Sequence, residues 1–207
     1  MCAARVNYPD DILNFWFGDA SQSPAKAEAR MSLWFEADPP MDARIRERFG
    51  AGVDAAARGK LVSWTAAPRP ALALVVLLDQ FPRNIWRGTA RAFAHDGQAL
   101  AVARKVVAAG FLPELAPIEQ PFLTLPFQHS ESLEAQRESV RLCREIETMA
   151  PLEWRPMLET FAPYADRHLE LIERFGRFPH RNGVLGRVST PDEEAYLAGG
   201  GETFGQG

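Results

Sequence analysis

The side chains able to do acid-base or anion-binding chemistry fall into a few short stretches of this chain, and each of four contains one histidine. They are His95 in AFAHD, His129 in LPFQHSE, His168 in YADRHLE and His180 in RFPHRN. Imidazole has an unperturbed pKa of about 6.5, so small changes of surroundings move its charge across neutrality. His168 falls on the apolar stripe of its helical stretch, beside Tyr164 and Leu171, and so points inward. A core histidine satisfied by one hydrogen bond and an acid-base group both fit that position. His129 and Glu131 stand two apart and join His168 as the candidate catalytic residues. A second group, Arg174, Arg177, His180, Arg181, Asn182 and Arg187, has no Asp or Glu among it, although the chain is acidic overall. Guanidinium groups fork around carboxylate or phosphate. They also neutralise the carbonyl end of a helix, here with Glu170 and Glu173 in reach, so scaffold and pocket stand level for this group. Asp79, Gln80, Arg83 and Asn84 gather where the longest apolar run ends. Asp79 and Arg83 are four apart, which suits an ion pair as well as a ligand contact. The candidate ligand-binding set is therefore Asp79, Arg83, Asn84, Arg177, His180, Arg181 and Asn182.

Several chemistries lack their signatures. No P-loop, dinucleotide fingerprint, HExxH or paired CxxC occurs, and no G-x-S-x-G elbow accompanies Ser130, which reads as a helix N-cap. His129 and Glu131 with Asp79 or Asp96 have no diagnostic metal spacing, so neither a metal nor another cofactor is expected.

These residues are positioned by helical segments. Asp10 begins a short helix through Phe17, with Gly18 as its stop, and Ser23 and Pro24 start another to about Glu36. Met41, Ile45, Phe49 and Val53 repeat every four residues up to Arg58. Pro68 and Pro70 open a buried helix containing the apolar run Ala71 to Leu78, and Pro82 is expected to end it. Asp96 caps a helix to Gly110. Four prolines between Phe111 and Ser130 predict a broken stretch, with TLPFQHSE as an ordered turn. Leu133 to Ile146 and Trp154 to Phe175 are helices, the second stopped by Gly176, and Thr190, Pro191 and Glu193 form a capping box for a last short one. No segment alternates with period two. The expectation is an all-α domain of paired antiparallel helices over residues 1–207, with a flexible Gly-rich tail at 199–207.

The 207-residue chain carries 24% charged and 46% hydrophobic residues, the balance of a soluble globular protein. A net charge of −4 argues against nucleic acid and anionic membranes as partners. The N-terminal MCAARVNYPDDIL has no long apolar run, and Cys2 and Cys143 make no disulfide framework, so a cytoplasmic protein is expected. Oligomeric state is not encoded in any of these features.

Four stretches taken together, ILNFWFGD, LVVLLDQFPRNIWRGTARAFAHD, QPFLTLPFQHSE and RFGRFPHRNGVLGRVSTPDEEAYL, resemble the bacterial proteins grouped as domain of unknown function 924, over nearly the whole chain. The resemblance implies a tetratricopeptide-repeat-like α-superhelix of stacked helix pairs, although periodicity itself reveals no 34-residue repeat. It implies no activity. The positions it marks are Asp79, Gln80, Arg83 and Asn84; Phe127, His129 and Glu131; and Arg174, Arg177, His180, Arg181 and Asn182. Two functions fit. One is a peptide- or protein-binding helical adaptor, by analogy with other helix-pair folds. The other, favoured by so many histidines, acids and arginines within apolar stretches, is a site for a small polar or anionic ligand, with or without catalysis. In the second reading Asp79, Arg83, His129, Glu131, His168 and the loop from Arg177 to Asn182 converge on one cavity.

Overall fold

Residues 8–205 are described by the structure, a computed structural model in which every regular element among those residues is helical. Helix α1 (Pro9–Trp16) has Tyr8 at its cap instead of Asp10; Asp10 and Asp11 lie in the first turn, where carboxylates favour the positive helix end. Its inner face is Ile12, Leu13 and Trp16. Gly18 follows with φ of 54°, and a Cβ there would meet the Arg30 guanidinium. That guanidinium donates to the carbonyls of Phe15 and Trp16, occupying the open end of α1. To reach them the chain breaks the helix expected from Ser23 to Glu36 into α2 (Pro24–Glu28), capped by Ser23, and α3 (Met31–Phe35). Helix α4 (Pro39–Ala57) is capped by the Asp38 carboxylate, which accepts the Met41 N–H at 3.2 Å.

The apolar run forms α5 (Pro68–Val75), but Pro82 does not end it. A π turn at Val76–Gln80 joins α5 to α6 (Phe81–Ile85) without a break. A proline ring in a regular helix collides with the carbonyl four residues back; the wider i→i+5 turn relieves that collision. Burial supplies the driving force, since every residue from Ala71 to Ile85 is buried. Asp79, Gln80, Arg83 and Asn84 are thereby carried into the interior on a rigid helix rather than left at its end.

Helix α7 (Asp96–Ala108) begins at Asp96 itself, with His95 at the cap. TLPFQ is not a turn: α8 (Glu119–Gln128) runs through Pro126. A proline inside a helix costs about 3 kcal/mol. Burial of Phe122, Leu123, Leu125 and Phe127 outweighs this, at about 1.5–3 kcal/mol for each side chain. Helix α9 (Leu133–Met149) is capped by Ser132, not Ser130, whose hydroxyl accepts the Ser132 N–H instead. The long helix expected from Trp154 is divided into α10 (Arg155–Leu158), a 3-10 turn and α11 (Ala162–Phe175). Gly176 ends α11 at φ of 70°, a left-handed cap suited to glycine. The capping box of Thr190 and Glu193 starts α12 (Pro191–Ala198) as expected.

Helix α5 packs on α1, α7 and α8; α6 packs on α4; α9 packs between α8 and α11. Aromatic rings join these layers edge to face, with Trp16 5.5 Å from Phe81 and Phe17 5.1 Å from Phe122. A smaller cluster of Leu171, Ile172 and Phe178 lies under the loop after α11. Cys143 is a buried free thiol, whereas Cys2 lies outside the described residues.

Candidate functional site

The π turn directs Asp79 inward from the central helix, and the C-terminal end of α8 brings His129 to meet it. His129 Nδ1 lies 2.8 Å from Asp79 Oδ1. The turn carrying His129 is fixed by the buried Gln136 amide, which donates to the carbonyls of Gln128 and Ser130 at 2.6 Å each. Asp79 is fully buried, and its other partners are the Gln80 amide at 2.5 Å and the Arg83 guanidinium at 3.2 Å. Burial would raise the Asp79 pKa, but Arg83 and His129 together with the Gln80 bond hold it well below the carboxylate range. His129 is shifted down, first by burial and next by the Arg83 charge, against the pull of Asp79. An ionised Asp79 beside a neutral His129 assigns the proton to Nδ1, donating to the carboxylate, and leaves Nε2 as the acceptor of the ring.

Arg83 also donates to Asp96 Oδ2 at 3.1 Å, and Arg181 donates to the same oxygen at 3.3 Å and to the His129 carbonyl at 3.0 Å. Two carboxylates, Asp79 and Asp96, thus face two guanidinium groups, Arg83 and Arg181, and the buried cluster is neutral. Arg181 is buried, with its guanidinium carbon 4.5 Å from the Phe93 ring and 4.4 Å from the Phe178 ring. Burial brings its pKa down to about 10. Its Nε has no partner among the described residues, and the same is true of the buried Nδ1 of His180. His168 Nδ1 stands 2.7 Å from the Tyr164 carbonyl of its own helix, so it donates there and keeps Nε2 as an acceptor. Burial, then the neighbouring His129, lowers the His168 pKa far below its usual value, and burial followed by Arg181 brings His180 down to about 3.

These groups surround a cavity of about 80 Å³. Of the residues picked from sequence, Gln80, Arg83, Asn84, His129, His168, His180 and Arg181 line it, and Asp79 stands behind His129. Glu131, Arg177 and Asn182 do not line it. Glu131 forms a two-bond pair with Arg187 and accepts the Phe178 N–H at 2.9 Å. Arg177 places Nε and Nη2 on the two oxygens of Glu193, at 2.6 and 2.7 Å, and the Asn182 amide donates to Glu193 and Ser189. These three residues hold the loop that presents His180 and Arg181. His95 lies against Trp86, away from the cavity lining. Among the described residues no group of three or more His, Cys, Asp or Glu side chains is placed to hold a metal ion.

Sequence reasoning missed Trp34, Phe35, Glu36, Arg87, Leu125 and Phe204, which also line the cavity. Arg87 had a signal in its spacing, four residues beyond Arg83, although α6 ends at Ile85 and Arg87 lies in the turn that follows. It forms a two-bond pair with Asp42, which also accepts from Asn84. Phe204 had none beyond being an aromatic residue in the Gly-rich tail.

The Arg177 pair yields a first prediction. Its hydrogen bonds, with the Thr190 N–H, lower the Glu193 pKa from 4.5 to about 2. A depressed acid contributes stability above its unfolded pKa and loses it as pH falls through the folded value. Glu193→Gln is therefore expected to lower the melting temperature at pH 7, with the gap to wild type closing between pH 4.5 and about 2. Parallel melting curves over that range would contradict this role.

The family model described as bacterial protein of unknown function (DUF924) matches residues 12–201. The solved structure of a protein of unknown function, ATU0120, from Agrobacterium tumefaciens is similar, with 36% identity and a TM-score of 0.75, covering 91% of this chain and 96% of that one. No match was found among curated proteins.

Proposed function

The chain belongs to the bacterial DUF924 family, and we propose that it binds a small polar or anionic molecule in the cavity, with His129 placed to accept a proton from it. The observation that carries this reading is the contact of part-buried His129 with the buried Asp79 carboxylate at 2.8 Å, opening onto a space that His168, His180 and Arg181 also line. A carboxylate on Nδ1 fixes one tautomer and supports the basicity of Nε2 against the burial and the Arg83 charge that lower it, leaving a neutral, oriented ring of the kind general-base chemistry requires. Arg181 supplies the donors for an anionic group, since part of its guanidinium is left without a protein partner. Arg177 drops out of the anion-binding set, because it does not line the cavity and its Nε and Nη2 are held by Glu193.

Thermal shifts with phosphate, acetate and neutral acetamide, at constant ionic strength, test the reading. An anion at a hundred times its dissociation constant is expected to stabilise the protein by about 2.7 kcal/mol. Arg181→Gln should abolish the response, and Arg137→Ala, at an exposed position outside the cavity, should leave it intact. Equal responses to acetate and acetamide, or an undiminished response in Arg181→Gln, would remove the anion site.

The peptide-adaptor reading is supported by an open groove of about 680 Å³ along α7 and α9, with Arg104, Arg137 and Arg141 on its walls. Those arginines already pair with Glu134, Glu173 and Glu138, so the groove ranks second. Under either reading the packing of α7 on α8, α8 on α9 and α9 on α11 fits one domain of tetratricopeptide-repeat-like helix pairs. No described helix is long and apolar enough to cross a membrane, and cytoplasmic residence forms part of the proposal.

A further inference from the structure

Building on the reading of the cavity as an anion site, we infer that the place filled by Phe204 is its aryl-binding half. The ligand is then an aromatic ring carrying an anionic group, and the C-terminal segment gives way when it binds. The Phe204 ring stacks on His168 with centroids 3.6 Å apart and planes 22° from parallel. Phe178 and His180 meet it edge on, at 6.4 and 5.7 Å. A flat face and two edges set perpendicular to it make a slot for a planar ring. Arg181 lies against the same Phe178 ring, so a guanidinium stands next to the slot. Volume points the same way. With Phe204 in place only about 80 Å³ is open, room for a small anion but well below the roughly 300 Å³ at which pockets for larger molecules begin, so a ligand carrying a ring must take the space of the phenyl group.

The segment holding Phe204 is attached by contacts that are easily exchanged. Glu202 pairs with Arg167 where both side chains are substantially exposed, Arg87 reaches the Gly205 carbonyl at the surface, and the Tyr196 hydroxyl accepts the Glu202 N–H at 2.8 Å. Exposed pairs of this kind contribute little to stability. Phe204 also has φ of 52°, in the left-handed region that side chains other than glycine rarely adopt. Gly201 passes so close to Tyr196 that a Cβ would lie 2.3 Å from the ring, which makes it the point from which the segment is dislodged without touching the slot.

The test is titration of the full chain, of Phe204→Ala and of Gly201→Ala with benzoate, cyclohexanecarboxylate, phenyl phosphate and acetate at constant ionic strength. Benzoate is expected to bind wild type at least about tenfold more tightly than cyclohexanecarboxylate, because only the planar ring fits the stack. Both variants should bind benzoate and phenyl phosphate severalfold more tightly than wild type, since the open state no longer has to be won from the tail. Acetate affinity should not change. Equal affinity for benzoate and cyclohexanecarboxylate overturns the aryl slot, as does unchanged benzoate affinity in both variants or global unfolding of both. If acetate binds and benzoate binds no better, the aryl inference fails while the anion site stands; if none of the four binds any variant, the anion site itself fails.

Discussion

Replacing Asp79 with Ala is expected to lower stability by about 3–5 kcal/mol, the range for breaking a buried ion pair from one side. The carboxylate is wholly buried and receives hydrogen bonds from His129 and Gln80 beside the charge of Arg83. Its removal leaves Arg83 in the interior with Asp96, which Arg181 shares. His129 loses the acceptor that fixes its tautomer. Asp79→Asn keeps the shape and one acceptor, and so separates charge from packing. The double variant Asp79→Leu/Arg83→Met should lose less than Asp79→Ala alone, because no uncompensated charge remains inside. The measurement is a urea titration at pH 7, read as a shift in midpoint at unchanged slope. A loss of less than about 1 kcal/mol would mean that Asp79 neither holds Arg83 nor orients His129.

The path from sequence to this site was legible where signals are local. The periodic stripe of α4, the Gly176 stop and the Thr190–Glu193 capping box depend on residues within a turn or two of one another, and the structure has them. The inward placement of His168 followed from its helix face in the same way. Pro82 and Pro126 sit inside continuous helix against their local signal, for a physical reason. A proline penalty of about 3 kcal/mol is local, whereas the burial that overrides it comes from α4, α7 and α9, elements distant in sequence that enclose these helices. Arg177 and Arg181 mark a second limit. They lie four apart in one loop and are chemically identical, yet one meets Glu193 and the other meets Asp96 and the His129 carbonyl. The element opposite each arginine decides its role, and no spacing within the loop encodes it. Phe204 marks a third limit, since its contact with His168 closes across 36 positions of sequence.

Stability is also expected to fall as pH drops from 7 to 5, and the histidines of the cavity are the cause. His129, His168 and His180 all have folded pKa values below the unfolded one near 6.5, in each case chiefly because burial disfavours the charged ring. For a base shifted down, the unfolded chain binds more protons than the folded protein between the two values, so stability rises with pH across that window and is lost on acidification. His180, at about 3, stays neutral in the folded protein throughout this range. It alone contributes a loss of about 2 kcal/mol between pH 7 and 5, at 1.36 kcal/mol per unit once the unfolded ring has titrated. His168 and His129 act in the same direction. Asp79 and Glu193, by contrast, contribute fully down to their unfolded values near 4, so they leave this window undisturbed. Urea midpoints from pH 5 to 7.5 should therefore slope upward in wild type and flatten partly in His180→Gln and again in His168→Phe. The flattening identifies the neutral imidazoles whose acceptor nitrogens a bound ligand meets at pH 7. A wild-type curve level across the window, or one that neither variant alters, would mean that these rings are solvated well enough to charge in the folded protein, and His129 would then lose its standing as the base.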